Sequence, residues 1–226
     1  MTTGLRERRK QEARQAISGT AMAMFAAQGF DEVTISQIAD AAGVSKMTVT
    51  NYFPRKEDLV FDRAEAVIAS LAGAAAARPP GESLLAAIRR DFAKRMAAGD
   101  VTLGVPTATF ARMVANSHVL TSRGREIADL TEQALGDAIA ADAGADDPQH
   151  RIVAAELASV HRVLFAEGTR RVLAGQPHDE ICQALAAAAS RAFDLLEPSL
   201  GDYGVRIPRR DGSRGPRPAA SPGGRR

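Results

Sequence analysis

The 226-residue sequence predicts an all-α protein with a small N-terminal head and a larger helical body. Three observations carry that prediction. Alanine is abundant, β-branched runs are missing, aromatic residues make up only 4% and Trp is absent, a balance that favours helices. Apolar residues recur at i, i+3, i+4 and i+7 in one segment after another. Breaks rich in Gly and Pro separate those segments.

The elements follow in order. A basic stretch from Leu5 to Arg14 runs into an apolar helix carrying Ile17, Ala21, Met24 and Phe25, which ends at Gly29-Phe30. Thr34 stands where the N-cap of the next helix belongs, and Ile35, Ile38, Ala39 and Ala42 form that helix's apolar face. Gly43, free to take positive φ, closes it. Ser45 is placed to cap the following helix, whose buried face is Val49 and Phe53. Two short helices about a glycine turn make a helix-turn-helix pattern, whose second helix enters the DNA major groove. Its outward residues are Lys46, Met47, Thr48, Thr50, Asn51 and Tyr52, none of them acidic.

Pro54 ends this helix, and Glu57-Asp58 favours the start of another, expected over about 56–77. A further helix is expected over 82–98, with Leu85, Ile88, Phe92 and Met96 in phase. Pro106 suits the first turn of a helix reaching about 116. Longer helices are expected over 121–143, 148–174 and 177–200. From residue 202 onward Gly, Pro, Ser and Arg dominate, which predicts a disordered basic tail.

A short helix pair is common in α-proteins, so the motif alone decides little. Its flanks decide more. The run AMAMFAAQGFDEVTISQIADAAGVSKMTVTNYFPRKEDLV, residues 21–60, resembles the TetR family of transcriptional regulators. The shared features are the glycine-aromatic turn, Thr before the second helix, Ile-Ala-x-x-Ala-Gly-Val-Ser, the Tyr-Phe pair and Lys-Glu-x-Leu. The rest of the chain fits that family in helix length and rhythm only.

The resemblance implies a helix-turn-helix head over 1–55 and an effector-binding and dimerisation domain over 56–201, which leaves the tail read from composition over 202–226. It implies a repressor that binds an operator in double-stranded DNA and is released by a small-molecule inducer through movement of the helix after the head. For dimerisation the last two helices offer two stripes, Val153/Leu157/Val160/Leu164 and Ile181/Leu185/Ala188/Ala192/Leu195. These stripes serve an internal core equally well, and the resemblance tips the choice toward a homodimer. A two-fold dimer then calls for an inverted-repeat operator.

Lys46 is the first choice for donating to guanine O6/N7, with a phosphate contact as its competing role. Thr48 and Thr50 suit a thymine methyl or a phosphate, and Asn51 suits adenine or a local bond. Met47 suits a methyl contact or packing, and Ser45 sits at the helix start beside these residues. Thr34, Tyr52 and Lys56 resemble the family's phosphate-clamping positions. Candidate walls of an inducer pocket are Phe92, Met96, Phe110, Met113, His161 and Phe165, each on an apolar helical face where ordinary core is the commoner role.

Charge refines the division. Residues 1–63 hold nine Lys/Arg against eight Asp/Glu, residues 64–205 thirteen against eighteen, and residues 206–226 seven against one. The body is therefore a poor polyanion binder. The head's positive charge clusters at Arg6, Arg8, Arg9, Lys10 and Arg14 and again at Lys46, Arg55 and Lys56, as a phosphate footprint would.

Competing classes fare worse. A small helical enzyme acting on an apolar molecule would need a catalytic constellation, but the four histidines are scattered and no H-E-x-x-H, G-x-S-x-G or phosphate loop occurs. No cofactor or metal motif is present in the sequence. A non-specific DNA-binding protein would have no use for the large acidic body. The single Cys182 rules out an internal disulfide and suits a reducing compartment. With neither a signal peptide nor a run near the ~18–20 apolar residues of a membrane span, a cytoplasmic location is expected.

Overall fold

The computed structural model describes residues 2–145 and 147–206, with side chains from residue 6 onward. Among these residues every regular element is helical. The head comprises α1 (Thr2–Gln28), α2 (Ile35–Ala41), α3 (Lys46–Tyr52) and a 3-10 turn (Lys56–Leu59). The body comprises α4 (Ala64–Ile68), α5 (Ser70–Ala76), α6 (Leu84–Ala97), a second 3-10 turn (Val101–Leu103), α7 (Ala108–Ala115), α8 (His118–Ala143), α9 (Pro148–Leu173) and α10 (His178–Leu200).

Local chemistry sets the boundaries. Thr34 caps α2 in a reciprocal box with Gln37: the Gln37 N–H donates to Thr34 Oγ1 at 3.3 Å, and the Thr34 N–H donates to Gln37 Oε1 at 2.8 Å. Gly43 makes the turn with φ of 66°, and Ser45 Oγ accepts the Thr48 N–H at 3.0 Å to start α3. Ser83, Thr107, Ser117 and Asp147 cap the four helices that follow α5.

Three sequence expectations are corrected. The helix expected over 56–77 is a 3-10 turn followed by the two short helices α4 and α5, which meet at Ala69. Leu59 and Val60 sink into the head core, while the Asp62 carbonyl is held by Arg14 and the Asp62 carboxylate by the Ser18 hydroxyl. These anchors pull 60–63 out of helical register. Pro106 precedes the Thr107 cap and does not enter the first turn of α7. Residues 202–206, expected in the tail, fold back: the Leu84 N–H donates to the Tyr203 carbonyl, Tyr203 Oη lies 2.7 Å from His150 Nδ1, and buried Arg78 donates to the Gly204 carbonyl. The expected tail from 207 to 226 lies outside the described residues.

Two cores result. One gathers Ile17, Phe25, Val33, Ile38, Val49 and Phe53 from the head and takes in Met113 and Leu120 from α7 and α8. The other joins α6, α8, α9 and α10 through Ile88, Phe92, Leu135, Leu157, Leu185 and Phe193. The stripes considered for dimerisation pack largely into this second core, since Val153, Leu157, Val160, Leu164, Ile181 and Leu185 are all buried. Ala188 and Ala192 are half-buried against it, and Leu195 alone of the stripe faces out, 79% exposed.

Candidate nucleic-acid interface and effector cavity

The outward face of α3 is built by what lies beneath it. Val49 and Phe53 are fully buried and fix the helix's rotation, leaving Lys46, Met47 and Asn51 exposed. Met47 is 69% exposed, a large apolar side chain left open among the described residues. The Thr50 hydroxyl bonds back to the Lys46 and Met47 carbonyls, and the Thr48 hydroxyl lies 2.8 Å from Ser45 Oγ. These threonines therefore offer methyl groups outward more readily than hydroxyls. Tyr52 is half-buried against the head core.

Several expected phosphate contacts are engaged within the protein. Lys56 Nζ donates to the Asp31 carbonyl at 3.3 Å and sits 4.4 Å from the Phe30 ring centroid, with burial lowering its pKa. Arg14 donates to the Tyr52 carbonyl at 2.9 Å and to the Asp62 carbonyl at 3.2 Å, and its guanidinium covers the Phe53 ring. Arg14 thus satisfies the C-terminal end of α3. Arg55 pairs with Glu126 of α8 at 2.7 Å, and Arg123 bridges Glu126 and Asp58 at 2.9 and 2.8 Å. The Arg55 and Arg123 hydrogen bonds hold the Glu126 carboxyl below the ordinary range. These four residues strap the turn after α3 onto the body. No local pattern announces Arg123 and Glu126, because their partners lie more than sixty residues away in sequence.

Beneath that strap lies a cavity of about 780 Å³ between head and body. Met22, Val60, Phe61, Asp62 and Arg63 wall it on the head side. Residues of α4 to α6, the Val101–Leu103 turn and its flanks, α7, α8 and α9 wall the rest. Phe110, His161 and Phe165 line it as expected, and Phe61 meets Phe110 edge to face at 5.8 Å. Phe92, Met96 and Met113 do not line it. Phe92 is buried in the body core, against His161 at 5.3 Å and Phe193 at 6.0 Å. Met96 packs on the same core. Met113 belongs to the head core and borders a smaller recess of about 440 Å³ beside Phe25 and Phe30. A helical face specifies that a residue is covered, not which of two interiors covers it.

Burial, then the Arg95 guanidinium, pushes the His161 pKa down to about 4 from 6.5. The folded imidazole is neutral where the unfolded one takes up a proton. Stability is therefore full above pH 6.5 and falls as pH drops toward 4. Between pH 7 and 5 the loss from this residue should be about 2 kcal/mol. Urea titrations at the two pH values check it: His161→Gln should flatten the difference by that amount, and an unchanged difference would exclude His161 as its source.

The family model of bacterial regulatory proteins, tetR family, matches residues 17–62, from the middle of α1 to the Arg14-anchored loop. The HTH-type transcriptional regulator TcmR of Streptomyces glaucescens is 30% identical over 206 residues, covering 87% of this chain and 88% of TcmR. This chain belongs to the TetR family. It is accordingly a DNA-binding transcriptional regulator and not an enzyme. The regulator RutR of Escherichia coli K12 is 43% identical over 58 residues, or 26% of this chain and 27% of RutR, so that likeness covers a quarter of each chain. A TetR-family regulator from Syntrophomonas wolfei shares the fold, with a TM-score of 0.53 at 16% identity over 81% of this chain and 96% of its own. As a TetR-family protein this chain acts on DNA, and no helix among its described residues is long and apolar enough to cross a membrane.

Proposed function

We propose that this regulator is a repressor that holds an inverted-repeat operator as a homodimer and releases it when a small molecule fills the 780 Å³ cavity. One observation carries the reading: the cavity's wall is shared between the two parts of the protein. Asp62 lines the cavity, and its carbonyl is held by the same Arg14 that holds the Tyr52 carbonyl at the end of α3. A ligand that displaces Phe61–Arg63 therefore acts on the reader helix through one side chain. It shifts the equilibrium only by its preference for the DNA-incompetent arrangement.

Lys46, Met47 and Asn51 form the base-reading face in this proposal, with Ser45, Thr48, Thr50 and Tyr52 around it. Thr34 contributes at the α2 start, and Lys56 supports the Phe30 turn. Dimerisation through α9 and α10 uses the faces that the body core leaves open, where Ile152 and Val163 are 59% and 57% exposed and Leu195 shares a helical row with the small Ala184 and Ala188 at the edge of that core. Small residues allow close helix approach, and Ile152, Val163 and Leu195 supply the apolar contact.

The test is selection of genomic fragments by the purified full chain at ~150 mM salt, which strips non-specific complexes. The expected result is an inverted repeat, protected over both half-sites by a dimer. Failure to enrich any sequence from protein freed of small molecules by denaturation and refolding would overturn the reading.

A further inference from the structure

The charge on the cavity wall carries an inference about what enters it. The wall is largely apolar, with Phe61, Val67, Phe110, Phe165 and Leu173 among its lining side chains. Five arginines line it, Arg63, Arg95, Arg125, Arg162 and Arg170, against one carboxylate, Asp62. Three of the five have partners: Arg95 pairs with Asp100 at 2.9 Å, Arg63 reaches Asp100 at 3.8 Å, and Arg170 pairs with Glu167 at 2.7 Å. Arg125 and Arg162 have no carboxylate or hydrogen-bond partner among the described residues.

Their placement is not scattered. The antiparallel helices α8 and α9 meet where Gly136 faces Arg151 and Ala154. Counting back along that register brings Arg125 and Arg162 to facing turns, one on each helix, both on the cavity wall. Both are exposed, so neither guanidinium incurs a burial cost. A cationic ligand would meet two unpaired positive charges there. An anionic one would find two planar donors suited to a carboxylate, sulfonate or phenolate oxygen.

We infer that the effector is an amphipathic organic anion, a drug-sized apolar skeleton with one acidic group, whose acid is held between Arg125 and Arg162 while its skeleton fills the aromatic interior. This rests on the reading of the cavity as the effector chamber and adds the chemical class. Selectivity comes from the arginine pair and retention from the apolar wall, the usual division of labour in such sites.

Two fluorescent probes separate these contributions, because they share one skeleton: 1-anilinonaphthalene-8-sulfonate, an anion, and N-phenyl-1-naphthylamine, which lacks the sulfonate. The intact protein should bind the sulfonate at least about tenfold more tightly, the scale of one charge-assisted contact. Arg125→Gln combined with Arg162→Gln should bring the two affinities within about threefold, with the neutral probe's affinity unchanged. Equal affinities in the intact protein, or a sulfonate preference that survives the double substitution, would overturn the inference and leave the chamber standing. The chamber is tested separately by Ala128→Phe on the inner wall, or by Ala166→Phe on the exposed rim should the former fail to fold. Either should abolish binding of both probes. Binding of both that persists in a folded occlusion variant would place the probes elsewhere and remove the chamber reading itself.

Discussion

Gly168→Ala should lower the stability of the folded protein by about 3 kcal/mol, near the upper end of what overpacking costs. Gly168 is buried on α9 where the Val101–Leu103 turn crosses it, and an added Cβ would stand 2.0 Å from the Gly104 carbonyl oxygen and 2.9 Å from Leu185 Cδ1. The obstruction is backbone, so no change of rotamer relieves it. Gly104 has little room to retreat, since it lies against the α9 backbone, where the Phe165 Cα would stand 2.8 Å and the Leu164 carbonyl oxygen 3.0 Å from a Cβ at Gly104. For a chain of this size the melting temperature should fall by about 6–12 °C. Gly19→Ala is the control: this α1 glycine has open space around its Cβ position and should gain about 0.5–1 kcal/mol. A Gly168→Ala protein melting within about 2 °C of the parent would mean that the crossing is looser than its geometry. The crossing matters for the effector as well, because Val101, Thr102 and Leu103 form one wall of the cavity.

Lys46→Ala should weaken operator binding about 10- to 100-fold and leave the melting temperature almost unchanged. Lys46 opens α3, is exposed, and makes no hydrogen bond or ion pair through its ammonium among the described residues, so its removal subtracts little from the fold. Competition with mismatched operators separates its two possible roles. If it reads a base, the loss concentrates on the cognate sequence. If it holds a phosphate, affinity falls uniformly and the salt slope drops by about one. An unaltered affinity for every sequence would remove Lys46 from the interface. Arg14 offers a contrast: Arg14→Ala frees the Tyr52 carbonyl and exposes the Phe53 ring, so its effect on DNA should travel with a loss of head stability.

Much of the head was legible along the chain because its signals are local. Thr34 with Gln37, Gly43 and Ser45 lie within four residues of the backbone groups they satisfy, and the buried pair Val49 and Phe53 follows from helical spacing. The broken start of the body was not legible, because what unwinds 60–63 is Arg14 and Ser18, more than forty residues earlier. The same limit governs charge. Arg14, Arg55 and Lys56 look alike in a sequence with Lys46, yet three of the four are taken up by the Tyr52 carbonyl, Glu126 and the Asp31 carbonyl.

Periodicity correctly marked Leu157, Leu164, Ile181 and Leu185 as covered, and only packing showed that their own body core covers them. In the same way Phe92 and Phe165 share a pattern, but Phe92 fills a core while Phe165 walls a cavity. Local pattern along the chain accounts for the long helices, the Thr34 and Ser45 caps and the outward face of the reader helix, since each depends on contacts within about one turn. Which arginines stay free, which apolar faces stay open and where the cavity lies follow from packing, because those are differences between surfaces that meet only after folding.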